Sequence, residues 1–261
     1  MILDQIVGAS ALRAGALPYP GEYSCQTFSD GKDHSSHQII SLLKAITSVK
    51  NKNAIIAEMK PASPSRGHLR TLSNPPGVAK QLIAGGCSAL SVITEPVFFH
   101  GDASTIPMIR EKVPVPILRK DFIVDIRQLV ETRQLGADAV LLITAVLGDQ
   151  LSEYVDAAKK LGLEPLVEVH SRQEVRTALD TGADLIGINN RNLKTMKTDI
   201  STTSRLAPPI RQAGRTVIAE SGVTWPCDIK TLRPFAHGYL IGSSIMAAKN
   251  PQKKLEGFVY A

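Results

Sequence analysis

A chain of 261 residues, 43% hydrophobic and 21% charged, is an ordinary globular soluble protein, long enough for one α/β barrel or two small domains. Its net charge of +6 suits an anionic partner, yet Lys and Arg are scattered and aromatics make up only 5%, which leaves little material for a nucleic-acid surface. Cys25, Cys87 and Cys227 stand far apart with no Cys-x-x-Cys, no apolar run reaches membrane-spanning length, and the N-terminus lacks a signal-peptide pattern. A disulfide framework, a zinc site and a membrane anchor are therefore not expected, and the expected location is the cytoplasm.

In chain order, Ile2, Leu3, Ile6, Val7 and Ala9 are spaced for one helical face, and Pro18-Tyr19-Pro20-Gly21 ends that helix. A polar loop runs to about Ser36. Its Asp30, Asp33, His34 and His37 are too incomplete a ligand set, without an apolar shell, to predict a metal. Ile39, Ile40, Leu42, Leu43, Ile46 and Val49 give a second amphipathic helix. Residues 1–50 thus read as an N-terminal helical extension packed on the rest of the chain.

From 51 to 261 strand and helix patterns alternate. Apolar strand-like runs occupy 54–59, 88–94, 115–119, 138–144, 164–169, 184–189, 215–220 and 237–242. Helical patterns occupy 78–85, 106–112, 126–135, 151–161, 172–179, 202–213 and 227–232. Parallel strands with crossover helices accommodate this pattern, and eight such units in one domain predict a (β/α)8 TIM barrel. An internal echo agrees: Gly86-Cys87-Ser88-Ala89, Gly136-Ala137-Asp138-Ala139 and Gly182-Ala183-Asp184-Leu185 recur about two β/α units apart, with Ala236-His237-Gly238-Tyr239 a weaker copy. A doubly wound sheet is the competing fold, but no Gly-x-Gly-x-x-Gly follows the first strand.

A barrel carries function where its strands end. The first strand ends in Glu58 and Lys60, which share one side of the chain by period two, followed by Ser63. Buried on one face, such a pair must serve each other or a ligand, and an internal ion pair is the simpler reading until the other ends are considered. Those ends are Thr94-Glu95-Pro96 with Phe98 and Phe99 beyond, Arg119-Lys120-Asp121-Phe122, Glu168-Val169-His170, Asn189-Asn190-Arg191, Glu220-Ser221-Gly222 and Gly242-Ser243-Ser244. So many polar groups at one mouth predict an active site. Ser221, Gly222, Gly242 and Ser243, small residues after the last two strands, are the expected phosphate-binding positions, each pair read as entering a helix.

Ile55-Ile56-Ala57-Glu58-Met59-Lys60 with Ala62-Ser63-Pro64-Ser65, Pro116-Ile117-Leu118-Arg119-Lys120-Asp121-Phe122, Pro165-Leu166-Val167-Glu168, Gly187-Ile188-Asn189-Asn190-Arg191, Ala219-Glu220-Ser221-Gly222 and Ile241-Gly242-Ser243-Ser244 together resemble indole-3-glycerol phosphate synthase. The resemblance runs in order from about Ile39 to the C-terminus. It departs at 18–37, at Pro61, where the family often has a second Lys, and at Asp102, where Ser is usual. It implies a carbon–carbon lyase of tryptophan biosynthesis. Its substrate would be 1-(2-carboxyphenylamino)-1-deoxyribulose 5-phosphate, converted to indole-3-glycerol phosphate, CO2 and water.

Ring closure of that substrate requires a cationic acid at the ribulose carbonyl, for which Lys120 is the choice. Lys60 either anchors the carboxylate or serves as the acid of the later dehydration. Glu168 and Glu58, with Glu220 close by, are the carboxylates that would assist at the amine side. Asn189, also counted with the catalytic set, and Arg191 suit substrate hydroxyls and the carboxylate, Ser63 belongs to the substrate-binding set, and Phe98 or Phe122 suits the aromatic ring. No metal or cofactor is expected. The expected partner is a phosphorylated small molecule, with no nucleic acid or membrane; a monomer is expected, with room for association with other tryptophan-pathway enzymes. Competing readings are a class I aldolase-type enzyme with Lys60 or Lys120 as a Schiff base, and a basic nucleic-acid-binding module.

Overall fold

Eight apolar runs form eight parallel strands in the computed structural model, which describes residues 2–18, 37–193 and 195–261. They are β1 (Ala54–Met59), β2 (Ala89–Ile93), β3 (Ile117–Lys120), β4 (Ala139–Ile143), β5 (Glu164–Val169), β6 (Leu185–Asn189), β7 (Thr216–Glu220) and β8 (Gly238–Ile241). Each pairs with the next, and β8 closes on β1, so Ile56 lies between Ala89 and Leu240 in register. The result is a closed (β/α)8 barrel.

Period-two alternation divides every strand between two cores. Ile55, Ala57 and Met59 face outward into a large cluster shared with the helices, whereas Ala54 and Ile56 belong with Ala89, Leu118, Leu141, Leu166, Ile218 and Leu240 inside the barrel. Because both faces are buried, the strands read as unbroken apolar runs. Around them lie α3 (Pro75–Ala84), α4 (Thr105–Arg110), α5 (Ile126–Gln134), α6 (Thr144–Leu147), α7 (Leu151–Lys160), α8 (Arg172–Asp180), α9 (Ser201–Gln212), α10 (Pro226–Leu232), α11 (Ser243–Met246) and α12 (Pro251–Val259), after α1 (Ile2–Gly15) and α2 (Leu42–Thr47). None of the described helices is long and apolar enough to cross a membrane.

The glycine that opens each copy of the repeated signal has a local cause. Gly86, Gly136 and Gly182 have φ of 88°, 86° and 69°, the left-handed turn that swings the chain from a helix end into the next strand.

The two N-terminal helices go to opposite ends of the barrel. α2 is shorter than the predicted helix and plugs the base: Leu42 and Ile46 join the interior cluster, and Glu164 at the start of β5 accepts from Ser41 Oγ (2.6 Å) and Leu43 N (2.8 Å). Ile39 and Ile40 stay outside the helix because Ile40 N is committed to Asp138. Asp30, Asp33, His34 and Cys25 lie outside the described residues. His37, the remaining member of the loop group, meets Asp138.

Asp138 is buried at the barrel's base and fully subscribed. Oδ1 accepts from Ile40 N (2.8 Å) and lies 2.7 Å from His37 Nε2; Oδ2 accepts from Arg110 (2.6 Å) and Ile117 N (2.7 Å). An Asn can accept at only one of these corners and must aim an N–H at donors in the other. Asp138→Asn is therefore expected to lower unfolding stability by about 3 kcal/mol. Urea unfolding checks it, and a loss under ~1 kcal/mol would mean the orphaned donors find other partners.

Candidate active site

Alternation along the strands aims one polar side chain from most strand ends into a cavity of about 630 Å³ at the C-terminal mouth. Glu58, Glu168 and Glu220 are each 2% exposed or less, and Lys120 and Asn189 join them from β3 and β6. Two glycines make room: a Cβ at Gly187 would overlap Glu220 Oε1, and one at Gly242 would overlap Glu58 Oε2.

Lys120 sits between two carboxylates, its Nζ 2.7 Å from Glu220 Oε2 and 3.3 Å from Glu168 Oε2. Burial alone would favour a neutral amine, but Glu220, Glu168 and Glu58 hold it protonated well above the ordinary lysine range. The two glutamates part company. Burial opposes ionisation of Glu168, but Lys120, His170 and a hydrogen bond from Asn189 outweigh it and keep this carboxylate below the usual range. Burial, with the adjacent Glu168 charge, pushes Glu220 up to about 7 against the pull of Lys120. Adjacent carboxyls driven apart in this way equip one site with both a base and an acid. Across the mouth Lys60 Nζ lies 2.5 Å from Glu58 Oε2. Glu58 Oε1, Glu220 Oε1 and Ser63 Oγ are buried without a hydrogen-bond partner among the described residues, a cost that a bound ligand would relieve.

A second region of the cavity gathers small residues and cationic side chains. Ser221 (φ 60°) and Gly222 (φ 89°) are consecutive positive-φ residues, a tight left-handed turn strained at the serine. Asn190 fixes it, donating to Ser221 O (3.0 Å) while its own carbonyl accepts from Thr203 N and Oγ1. Ser244 Oγ donates to Val223 O and ties this loop to the one after β8. Gly242, Ser243 and Arg191 line the same cavity, and Arg66, absent from the sequence-predicted set, joins them. Burial and the nearby Arg66 guanidinium depress Arg191, as expected for crowded cations awaiting an anion.

The expectation that both small-residue pairs enter helices needs correction: α11 starts at Ser243, but α10 begins only at Pro226, after a three-residue connection. Gly242 also has another duty than close approach to phosphate, namely leaving space for the Glu58 carboxylate. Gly242→Ala is accordingly expected to lower kcat by about tenfold or more as well as raise KM, since a misplacement near 1 Å costs that much. Steady-state kinetics checks this, and a change confined to KM would restore the simpler phosphate role.

α1 lies over the mouth, with Ile2, Leu3 and Ile6 on the cavity. Arg13 clamps it by a two-pronged contact to Asp121 (2.8 and 3.1 Å), and Ser10 Oγ donates to Phe122 O (2.6 Å). Arg119 is buried on the outer side of β3, contacting Thr94 Oγ1, Asp121, Glu131 and Thr132 Oγ1. Burial alone would raise Asp121, but the Arg13 and Arg119 guanidiniums keep it ionised below the usual range. In the run Arg119-Lys120-Asp121, then, Lys120 serves the cavity while its neighbours fasten the cover. Phe122 does line the cavity, but Phe98 does not. Phe99 takes that place, its ring centroid 6.0 Å from that of Phe122. Glu95 sets the turn by accepting from the N–H groups of Val97, Phe98 and Phe99. The other predicted site residues, Glu58, Lys60, Ser63, Lys120, Glu168, Asn189, Arg191, Glu220, Ser221, Gly222, Gly242 and Ser243, all border this cavity.

A family model described as indole-3-glycerol phosphate synthase matches residues 22–258, starting earlier than the motifs alone suggest. An indole-3-glycerol phosphate synthase of Methanocaldococcus jannaschii is 44% identical over 223 residues, covering 84% of this chain and 83% of its own. That of Carboxydothermus hydrogenoformans is 44% identical over 230 residues, covering 86% and 87%. Among solved structures, the KGPDC of Streptococcus mutans superposes with a TM-score of 0.63 over 80% of this chain and 96% of its own, at 14% identity, a likeness of fold alone. The chain belongs to the indole-3-glycerol phosphate synthase family.

Proposed function

We propose that this cavity closes, decarboxylates and dehydrates 1-(2-carboxyphenylamino)-1-deoxyribulose 5-phosphate. The observation that carries the reading is the Glu168–Lys120–Glu220 cluster, one protonated amine held between an ionised carboxylate and one that titrates near neutrality. The phosphate sits against the Ser221-Gly222 turn and Gly242-Ser243, and the anilinic ring reaches toward Phe122 and Phe99. Ser63 and Arg191 hold the remaining polar groups, Arg191 as a fork for the carboxylate.

The carboxylate-bearing ring carbon attacks the ribulose carbonyl. Lys120 delivers a proton to the carbonyl oxygen as it becomes a hydroxyl. Positive charge develops on the anilinic nitrogen, and Glu168, kept ionised and oriented by Asn189, offsets it. Loss of CO2 from the now tetrahedral carbon restores the ring. Lys60, paired with Glu58, protonates the departing hydroxyl, and Glu168 accepts the proton whose loss completes the indole. Glu220 holds Lys120 in place and exchanges a proton with it between turnovers. A Schiff-base mechanism at Lys120 would need a neutral amine, the reverse of what two adjacent carboxylates favour.

The reading extends to a monomer in the cytoplasm that needs no metal or cofactor, with α1 serving as the mouth cover and α2 as the base plug. The test is indole fluorescence from purified protein and the carboxyphenylamino substrate in EDTA. Product formation is expected, and a correctly folded protein without turnover would overturn the assignment.

A further inference from the structure

Glu168 has a partner that its part in ring closure does not require. His170, two residues on and just past the end of β5, turns its Nε2 to within 3.2 Å of Glu168 Oε1. Its other ring nitrogen, Nδ1, lies 3.2 Å from Glu174 Oε2, and the same oxygen accepts from His170 N at 2.8 Å. Glu174 is in turn fixed in the first turn of α8, where its Oε1 accepts from Ser171 Oγ (3.0 Å) and Ser171 Oγ accepts from Glu174 N (3.2 Å). The imidazole is therefore oriented from behind by a capped helix start, and its buried front nitrogen stands close to the carboxylate assigned as base as a neighbouring charge, without the alignment of a hydrogen bond.

We propose that His170 is a positioning residue: a cation clamped between Glu174 and Glu168 that orients the Glu168 carboxylate and keeps it ionised during ring closure, until it takes the final proton. The proposal rests on the role assigned to Glu168. The need for it follows from the reaction. If Lys120 gives its proton to the carbonyl oxygen, the charge beside Glu168 disappears at the moment when Glu168 must remain an anion. A second cation not consumed by the chemistry covers that interval. Burial alone would lower His170, but its two carboxylate neighbours raise it to about 10, so it stays charged across the neutral range.

The charged and polar groups that bear on the pair are few. Glu168 meets Lys120 from β3, Asn189 from β6, the Glu220 charge from β7 and His170 itself; His170 meets Glu168 and Glu174. Removing His170 leaves Lys120 as the remaining cation at Glu168, so protonation of Glu168 becomes easier and the acidic limb of the kcat profile must rise. Removing the charge of Glu174 lowers the pH at which His170 gives up its proton, so the alkaline limb must fall.

The experiment compares wild type, His170→Ala, His170→Gln, Glu174→Gln and Glu168→Gln by kcat, KM and Tm across pH 5–10. His170→Ala is expected to lose about 10–100-fold in kcat with KM within about threefold, a smaller loss than for a group that touches the reacting atoms. Its acidic limb should rise by about one pH unit or more. His170→Gln keeps a donor near the Nε2 position and should recover part of kcat while retaining the displaced limb. Glu174→Gln, nearer the surface, should fold even if His170→Ala does not, and its alkaline limb should fall. Unchanged kcat and unchanged limbs in the His170 and Glu174 variants, with only Tm lowered, would overturn the proposal. A crippled Glu168→Gln beside them would leave the role of Glu168 standing, whereas a Glu168→Gln of normal turnover would overturn both.

Discussion

Lys120→Met lowers kcat by roughly 10³-fold or more while KM moves by less than about tenfold, because the proton it supplies is needed chiefly in the transition state. Methionine keeps the length of the side chain and removes the charge. The same change leaves Glu168 and Glu220, each within 3.3 Å of Nζ in the native protein, facing each other without a counter-charge from β3. Ionising both then becomes harder, so the residual activity should show its acidic limb shifted upward. Steady-state kinetics across pH checks both effects. Near-normal turnover in Lys120→Met alongside an inactive Lys60→Met would mean that the two lysines exchange roles.

The parts of the molecule that the sequence made legible are those where a single period governs the chain. Strands buried on both faces read as apolar runs, and crossover helices between them leave little choice but a closed parallel barrel. The same period of two put Glu58 and Lys60 on one side, and Lys120, Glu168 and Glu220 at strand ends.

Where that period is interrupted, legibility ends. Phe98 and Phe99 lie in a turn whose course is dictated by Glu95 accepting three consecutive N–H groups, and alternation has nothing to say about which ring faces the cavity. The hairpin of Ala62–Ser63 with Gly67–His68 is too short to carry a pattern. Arg119 and Asp121 read as mouth residues, yet Asp121 binds an α1 arginine more than a hundred positions away and Arg119 braces it from behind, contacts that no local signal announces. Gly242 was visible as a small residue, but its reason, room for a carboxylate on the neighbouring strand, appears only once β8 closes on β1. His170 stood in plain view after Glu168, and what hid its setting was the helix start that brings Glu174 back to it.

The central claim is that the buried carboxylates at the mouth serve chemistry and do not merely balance lysines inside the barrel. Glu168 is where the two accounts differ most. It is 2% exposed, lies between Lys120, Asn189 and His170, and stays ionised against the cost of burial. Glu168→Gln keeps its shape and part of its hydrogen bonding and removes the charge. The decisive measurement is kcat and Tm on one purified preparation of that variant. A loss of roughly 10²–10⁴-fold in kcat with the fold and Tm essentially retained is the expected result for a positioned acid–base group. A lowered Tm with kcat within a few-fold of wild type would contradict it and leave Glu168 as one half of a structural ion pair.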